Sequence, residues 1–286
     1  MGYAADCRSA MSVGWAEDIG LRDEMEDGFV FVDCFGGHKQ SAYFGIYDGH
    51  GGRQCVDYIT QNLHDNLEKE LQQGSAMGTP ICDSIARAFS STDQNMYRSG
   101  ITSSGCTACS CLLLMDGGSR MLYTAHLGDA RAVICRQGKA VRLTSRSDHK
   151  ATDPGEIDRV MMAGGHITNE RVNGMLAIAR AFGDHQLKMP EQPQDIVSNT
   201  PDITSTELQD TDMFLIVACD GLWDVLTDQM AVNIVLEAIR VFTQLAPAGD
   251  DSVRRRPMGE IFARCLVEEA LVRGTSDNVT CLVVFL

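Results

Sequence analysis

The sequence predicts an α+β fold with antiparallel sheets, built as a single domain. Three observations carry that expectation. Strand-like and helix-like segments come in blocks rather than in strict alternation, which argues against a doubly wound parallel sheet. Successive strands are joined by short turns such as Asp116-Gly117-Gly118-Ser119 and Gln137-Gly138, a spacing that suits antiparallel neighbours. No repeat, and no linker long enough to separate domains, occurs in the 286 residues.

Residues 1–14 read as a loose N-terminal segment, leaving 15–286 as the folded domain. A dense acidic cluster around one arginine follows, Leu21-Arg22-Asp23-Glu24-Met25-Glu26-Asp27. Residues 29–34 are rich in β-formers and read as a strand. Gly36-Gly37 breaks it, and the next apolar run, residues 42–47, stops at Asp48. If these strands are antiparallel neighbours, Glu26 and Asp27 approach Asp48. After Gly49-His50-Gly51-Gly52, the residues Cys55, Val56, Ile59, Leu63 and Leu67 recur at helical spacing. The stretch 74–80 is a breaker before a second helix over 82–96. Residues 104–115 read as one strand, and 121–127, 132–135 and 140–143 continue it as a local meander. Asp153-Pro154 opens a helix that Gly164-Gly165 closes. Residues 188–202 hold three prolines and read as an irregular loop. A fully apolar strand over 213–219 ends at Asp220, helices follow near 228–242 and 258–273, and the last strand begins just after Asp277-Asn278. That strand runs to Leu286, so no appended regulatory domain is expected.

Composition excludes several classes. Hydrophobic residues make up 44% and charged residues 22%, ordinary for a soluble globular chain. The net charge of -15 disfavours nucleic-acid binding, because a backbone-binding surface needs excess Lys and Arg. No apolar run approaches a membrane span, and the N-terminus lacks a basic region followed by an apolar core. A cytoplasmic location, extending to the nucleus, is therefore expected. The eleven cysteines, several inside apolar runs, read as reduced and mostly buried thiols. Cys106 and Cys109 have the spacing of a metal or redox motif, but zinc would need a second pair, and on a strand these two point to opposite faces. Met1-Gly2 begins a myristoylation pattern, yet Asp6 stands where serine or threonine is usual. One acyl chain also anchors weakly, so membrane attachment through Gly2 is not expected.

Chemistry gathers at strand ends. Asp48 and Asp220 terminate apolar strands, while Asp277 and the pair Glu26-Asp27 precede others. Taken alone, Asp48-Gly49 reads as well as a common turn. In antiparallel sheets, however, the end of one strand and the start of its neighbour share a rim, so these acids can converge, with Asp129 joining from a tight connection. Carboxylates so gathered do not all stay ionised without compensation. Divalent cations supply it, and hard oxygen ligands with no evident His/Cys cluster favour Mg²⁺ or Mn²⁺ over Zn²⁺. Two cations about 3.5–4 Å apart can share a water, lower its pKa and support in-line attack on phosphorus. Arg22 could grip a phosphate by paired hydrogen bonds, and His50 could protonate the leaving oxygen. Neither role follows from spacing alone, since a surface arginine is usually solvated and a lone histidine usually structural.

The ordered segments make the reading specific. They are Arg22 with Met25-Glu26-Asp27; Phe44-Gly45-Ile46-Tyr47-Asp48-Gly49-His50-Gly51-Gly52; Ser104-Gly105-Cys106-Thr107-Ala108; Leu127-Gly128-Asp129-Ala130-Arg131-Ala132; Asp148-His149-Lys150; Arg171-Val172-Asn173-Gly174 with the run from Leu176 to Asp184; Ala218-Cys219-Asp220-Gly221-Leu222-Trp223-Asp224-Val225; and Ser276-Asp277-Asn278-Val279-Thr280. Spanning nearly the whole chain, they resemble the metal-dependent Ser/Thr protein phosphatases, the type 2C or PPM family. The resemblance implies a β-sandwich of two antiparallel sheets flanked by α-helices, with a binuclear metal site at one rim. It implies Mg- or Mn-dependent hydrolysis of phosphoserine and phosphothreonine in phosphoprotein substrates, by in-line attack of a metal-bridging hydroxide. On this pattern Asp48 bridges both metals, Asp220 and Asp277 hold the first, and the Gly49 carbonyl and Glu26 serve the second. Asp27 supports the waters, and Asp129 with Asp220 and Asp224 matches a weaker third site. Arg22 matches the phosphate-binding arginine and His50 the proposed general acid.

Some positions depart from the pattern. Cys106 and Ala130 stand where serine is common, and Ala151 where proline is usual; none is an expected ligand. Other features read as structural: Cys219 as a core thiol, Trp223 as packing under the site, His149 as a loop support and Arg254-Arg255-Arg256 as a solvated loop. The loop near 164–190 is expected to shape selectivity. Two other functions stand beside the leading one. A non-catalytic scaffold of the same fold would lack the metal-binding acids, which are present here, and a phosphatase of small metabolites would differ only in substrate size.

Overall fold

The computed structural model describes residues 2–5, 7, 9–10, 12–145, 147–188, 195–245 and 258–286. In chain order the strands are β1 (Gly2–Ala5), β2 (Ser12–Asp18), β3 (Gly28–Asp33), β4 (Ala42–Tyr47), β5 (Gly49–His50), β6 (Gly105–Cys106), β7 (Ala108–Asp116), β8 (Ser119–Leu127), β9 (Arg131–Arg136), β10 (Lys139–Arg142), β11 (Ile167–Thr168), β12 (Arg171–Val172), β13 (Phe182–Gly183), β14 (Asp202–Glu207), β15 (Asp212–Ala218) and β16 (Val279–Phe285). The helices are α1 (Gln54–Met77), α2 (Ile81–Arg98), α3 (Pro154–Met162), α4 (Asp220–Trp223), α5 (Asp228–Leu245) and α6 (Met258–Val272). One antiparallel sheet runs β1-β2-β16-β15-β9-β10 and the other β14-β8-β7-β4-β3.

The two sheets pack face to face, and helices cover both outer sides, as the family resemblance implied. The central strands read as unbroken apolar runs because both of their faces are covered. On β15 and β16, Leu215, Val217, Leu282 and Val284 meet Phe44, Ile46, Cys109 and Cys111 of the opposite sheet. The alternate residues Phe214, Ile216, Val283 and Phe285 pack under Val235 of α5 and Phe262 and Leu266 of α6. On the other outer side, Tyr43, Tyr47 and Leu112 lie under Val56, Ile59 and Leu63 of α1 and Ile85 and Phe89 of α2. Each large apolar side chain so buried contributes roughly 1.5–3 kcal/mol, so the layers hold one another in place. Among the described residues no helix is long and apolar enough to cross a membrane.

Local signals behaved as their chemistry requires. Gly117 and Gly118 have φ of 58° and 89°, and Gln137 and Gly138 have 54° and 76°, the left-handed pair that a two-residue hairpin needs. Asp153 caps α3 by accepting from the Gly155 and Glu156 amides at 3.0 and 3.2 Å, with Pro154 in the first turn.

Other boundaries differ from expectation. The loose start over 1–14 contains β1, paired with β2, and the division expected at residue 14 falls inside β2. α1 continues through Gly74 to Met77, because that glycine is a packing residue: a Cβ there would lie 2.3 Å from Ser84 Oγ of α2. Gly78, at φ 69°, ends the helix instead. The strand expected over 104–115 is two strands in different sheets, broken at Thr107. The expected meander divides in the same way, since β8 and β9 lie in opposite sheets and Gly128-Asp129-Ala130 crosses between them. β14 was not foreseen, because its polar sequence looks like loop, yet it pairs along β8 as an edge strand. Part of the 188–202 loop and all of Arg254-Arg255-Arg256 lie outside the described residues.

Candidate active site

β3 and β4 are neighbours with Gly28 opposite Tyr47, so Glu26 and Asp27 flank Asp48. β15 and β16 are neighbours with Ala218 opposite Cys281, so Asp220 and Asp277 share the next rim. These two acid pairs belong to opposite sheets, and face-to-face packing is what unites them at one end of the sandwich. Asp129 arrives from the crossing between β8 and β9. Carboxylate oxygens of Asp48, Asp129 and Asp220 come within 4.8 Å of one another, and Asp27, Asp48 and the Cys219 thiol form an adjoining group of the same tightness. Asp48, Asp129 and Asp220 floor a cleft of about 590 Å³, with Arg22, Glu26, Gly49, His50 and Asp277 among its walls.

The crowding shows in the acidities. Burial pushes the Asp48 carboxyl far above the usual carboxylate range, and the charges of Asp220, Asp27 and Asp129 add to it. Burial likewise lifts Asp27 to about 7, with the Thr280 and Cys219 side chains opposing it only in part. Asp129 rises to about 8 through burial and the Asp220 charge, although Lys150 pulls the other way. Asp220 is raised by burial and by Asp224.

Neighbouring groups hold this constellation open. Glu26 Oε1 accepts from the Gly52 amide at 2.6 Å, and the Glu26 amide donates to Asn278 Oδ1 at 2.8 Å. Asn278 Nδ2 donates to the Ile19 and Glu24 carbonyls at 2.9 and 3.0 Å, stitching the acidic loop to the start of β16. A Cβ on Gly49 would lie 2.5 Å from the Glu26 carbonyl oxygen, so only glycine lets the two loops approach this closely. Arg22 donates to Asp277, and His50 to Asp184. Lys150 Nζ stands 3.6 Å from Asp129 and 3.2 Å from the exposed Asp224. Each sequence-predicted site residue therefore lies at this cleft or against a residue of it. Asn278, Asp184, Lys150 and Arg171 were quoted as motif members but not as site residues. Arg171 lines the cleft beside Leu176, Ala177 and Ile178, which places part of the 164–190 loop at its wall. Spacing carried no signal for Asn278, Asp184 and Lys150, because their partners are distant in sequence.

The structural readings hold for two residues. Trp223 is buried, its indole donating to the Ala218 carbonyl at 3.0 Å and the Arg131 guanidinium lying over its ring. His149 accepts from the Gly128 amide at 3.2 Å and so supports the connection that carries Asp129. One expectation needs correction: His126, His149 and Asp202 do converge, although no such cluster was evident in the chain. His149 Nε2 lies 3.2 Å from an Asp202 oxygen and the two imidazoles stack at 4.5 Å, outside the cleft lining. Burial first, and His149 second, push His126 down to about 4.

The donor set fits hard divalent cations. Apart from Cys219 it consists of oxygen atoms, its carboxylates are crowded enough to favour a proton, and Asp27 Oδ2 is buried without a hydrogen-bond partner.

The family model for protein phosphatase 2C matches residues 12–279. The chain is similar to protein phosphatase 2C homolog 1 of Saccharomyces cerevisiae, with 37% identity over 96% of this chain and 93% of the relative. It is similar to protein phosphatase 2C homolog 1 of Schizosaccharomyces pombe, with 39% identity over 92% of this chain and 69% of the relative. Its fold resembles the crystal structure of serine-threonine phosphatase 2C from Toxoplasma gondii, with a TM-score of 0.76 and 23% identity over 96% of this chain and 95% of that one.

Proposed function

Because the chain belongs to the protein phosphatase 2C family, we propose that its acidic cleft holds two Mg²⁺ or Mn²⁺ ions and uses them on phosphoserine and phosphothreonine. The protein is a protein serine/threonine phosphatase, and its substrates are phosphoproteins. The observation that carries the metal reading is the convergence of Asp48, Asp129 and Asp220 within 4.8 Å at the meeting of two sheets. Bound cations would neutralise these acids and activate a water for in-line attack on phosphorus.

The chain's own groups then divide the work. Asp48, with acids on both sides of it, would be shared by the two ions; Asp220 and Asp277 would hold one, the Gly49 carbonyl and Glu26 would hold the other, and Asp27 would order water beside them. Asp129 and Asp224 share Lys150, so a third ion there would compete with that ammonium and would be the more weakly held. Arg22 grips the substrate phosphate at the cleft wall, and His50 gives a proton to the departing serine or threonine oxygen.

A phosphopeptide assay with chelator tests this reading. Phosphate release should stop when divalent cations are stripped and return with Mn²⁺ or Mg²⁺. Full activity in Asp220→Asn, or activity that survives thorough chelation, would sink it.

A further inference from the structure

The three-stranded sheet β13-β6-β5 has two residues per strand and is too short to form a core. Its effect is to align three distant segments. His50 pairs with Gly105, and Gly105 pairs with Gly183, so Asp184 follows directly on the other side of a position with no side chain. Across that gap Asp184 Oδ2 lies 2.8 Å from His50 Nε2. A carboxylate only accepts, so Nε2 carries the hydrogen.

The gap is built. A Cβ on Gly105 would stand 2.1 Å from Asp184 Oδ2 and 2.5 Å from His50 Nε2, and would part the two. A Cβ on Gly183 would stand 2.2 Å from the Ser104 carbonyl oxygen. Asp184 itself is buried, holds a left-handed backbone at φ 49°, and donates its amide to Ser104 O at 3.2 Å. Asp93 of α2 secures both sides of it. Asp93 accepts from the Gly183 amide, Lys188 Nζ and Asn199 Nδ2, each at 2.8 Å.

We propose that Asp184 is the positioning residue for His50, locking the ring's rotation and tautomer so that Nδ1 is the nitrogen that serves the substrate. In the step concerned, water oxygen bonds to phosphorus as the bond from phosphorus to the side-chain oxygen breaks. That oxygen takes its proton from Nδ1 of the doubly protonated His50 ring, whose Nε2–H stays on Asp184, and solvent later restores the proton to Nδ1. The inference rests on the role given to His50 above.

The test compares turnover of a phosphothreonine peptide with that of p-nitrophenyl phosphate at saturating Mn²⁺. A threonine alkoxide needs a proton to leave, whereas nitrophenolate does not. The ratio of the two rates therefore reports proton delivery and is insensitive to losses common to both. His50→Ala should lower this ratio by roughly 10²-fold; an unchanged ratio there removes the role of His50 itself. Asp184→Ala should lower it at least about tenfold, and the double variant should fall no further than His50→Ala alone. Asp184→Asn, which keeps an accepting oxygen, should recover part of the loss. If Asp184→Ala shows no cooperative thermal transition, Gly105→Ala separates the same pair and should give the same fall. With the His50→Ala ratio lowered, a wild-type ratio in Asp184→Ala or in Gly105→Ala overturns the proposal, whether the absolute rates hold or drop together.

Discussion

Arg22 Nη2 donates to Asp277 Oδ2 at 2.7 Å, so the guanidinium assigned to phosphate is paired with a carboxylate assigned to a cation, 255 positions away. A cation at Asp277 must share or displace that partner. Arg22 is exposed and Asp277 is partly so, and such solvent-accessible pairs contribute below about 1 kcal/mol. Arg22→Ala should therefore tighten Mn²⁺ binding by no more than about fivefold in calorimetric titration. It should also raise KM for a phosphopeptide roughly tenfold or more, through lost charge-assisted hydrogen bonds. An unchanged KM would remove Arg22 from phosphate binding.

Without cations, the acid cluster should make stability depend on pH. Asp27 titrates at about 7 and Asp129 at about 8 in the folded chain, whereas free carboxylates titrate near 4. A raised folded pKa means the folded state holds its proton more tightly. The resulting stability is complete below about pH 4 and is lost as pH climbs through 7 to 8. Thermal melts in chelator should fall by several degrees between pH 5 and 8, and Mn²⁺ should flatten that slope. A flat profile in chelator would contradict the clustering.

Asp48→Asn removes the most crowded charge. In chelator at pH 8 the variant should melt higher than the parent, because like-charge repulsion and the burial of an ion are relieved. With Mn²⁺ present its turnover should drop by roughly 10²–10³-fold. Melting temperature and turnover should thus move in opposite directions, and a loss of both would point to a structural role instead.

Away from the cleft, Glu156 holds the loop that forms one of its walls. Its carboxylate is bonded to Arg159 at 2.8 Å and to Arg180 at 2.6 and 2.8 Å, and Arg180 reaches on to Asp202 at 2.8 Å. Despite burial, Arg180 and Arg159 hold the Glu156 carboxyl below its usual range. Glu156→Gln leaves two half-buried guanidinium groups short of charge and should destabilise the fold by roughly 1–3 kcal/mol. Urea unfolding should show a lower midpoint with an unchanged slope; a wild-type midpoint would deny the network its structural weight.

The run of β-formers in β3, the apolar runs of β4, β15 and β16, the paired turns at Gly117 and Gln137 and the cap at Asp153 were all legible in the chain. Each depends on contacts between near neighbours or on the two-residue period of a strand. The acids at strand ends were legible for the same reason, since adjacency of Asp27 to Asp48, or of Asp220 to Asp277, needs only one antiparallel pairing. That these two pairs lie on opposite sheets, and meet because the sheets stack, was not. Nor were the break at Thr107, the polar edge strand β14, the clamp formed by Asn278 or the partnership of Asp184 with His50. The sequence by itself determined which residues could ligate and which segments could pair, because those follow from side-chain type and local period. Only the tertiary structure decided which of them share a cavity, because sandwich closure sums many apolar contacts that no single segment records.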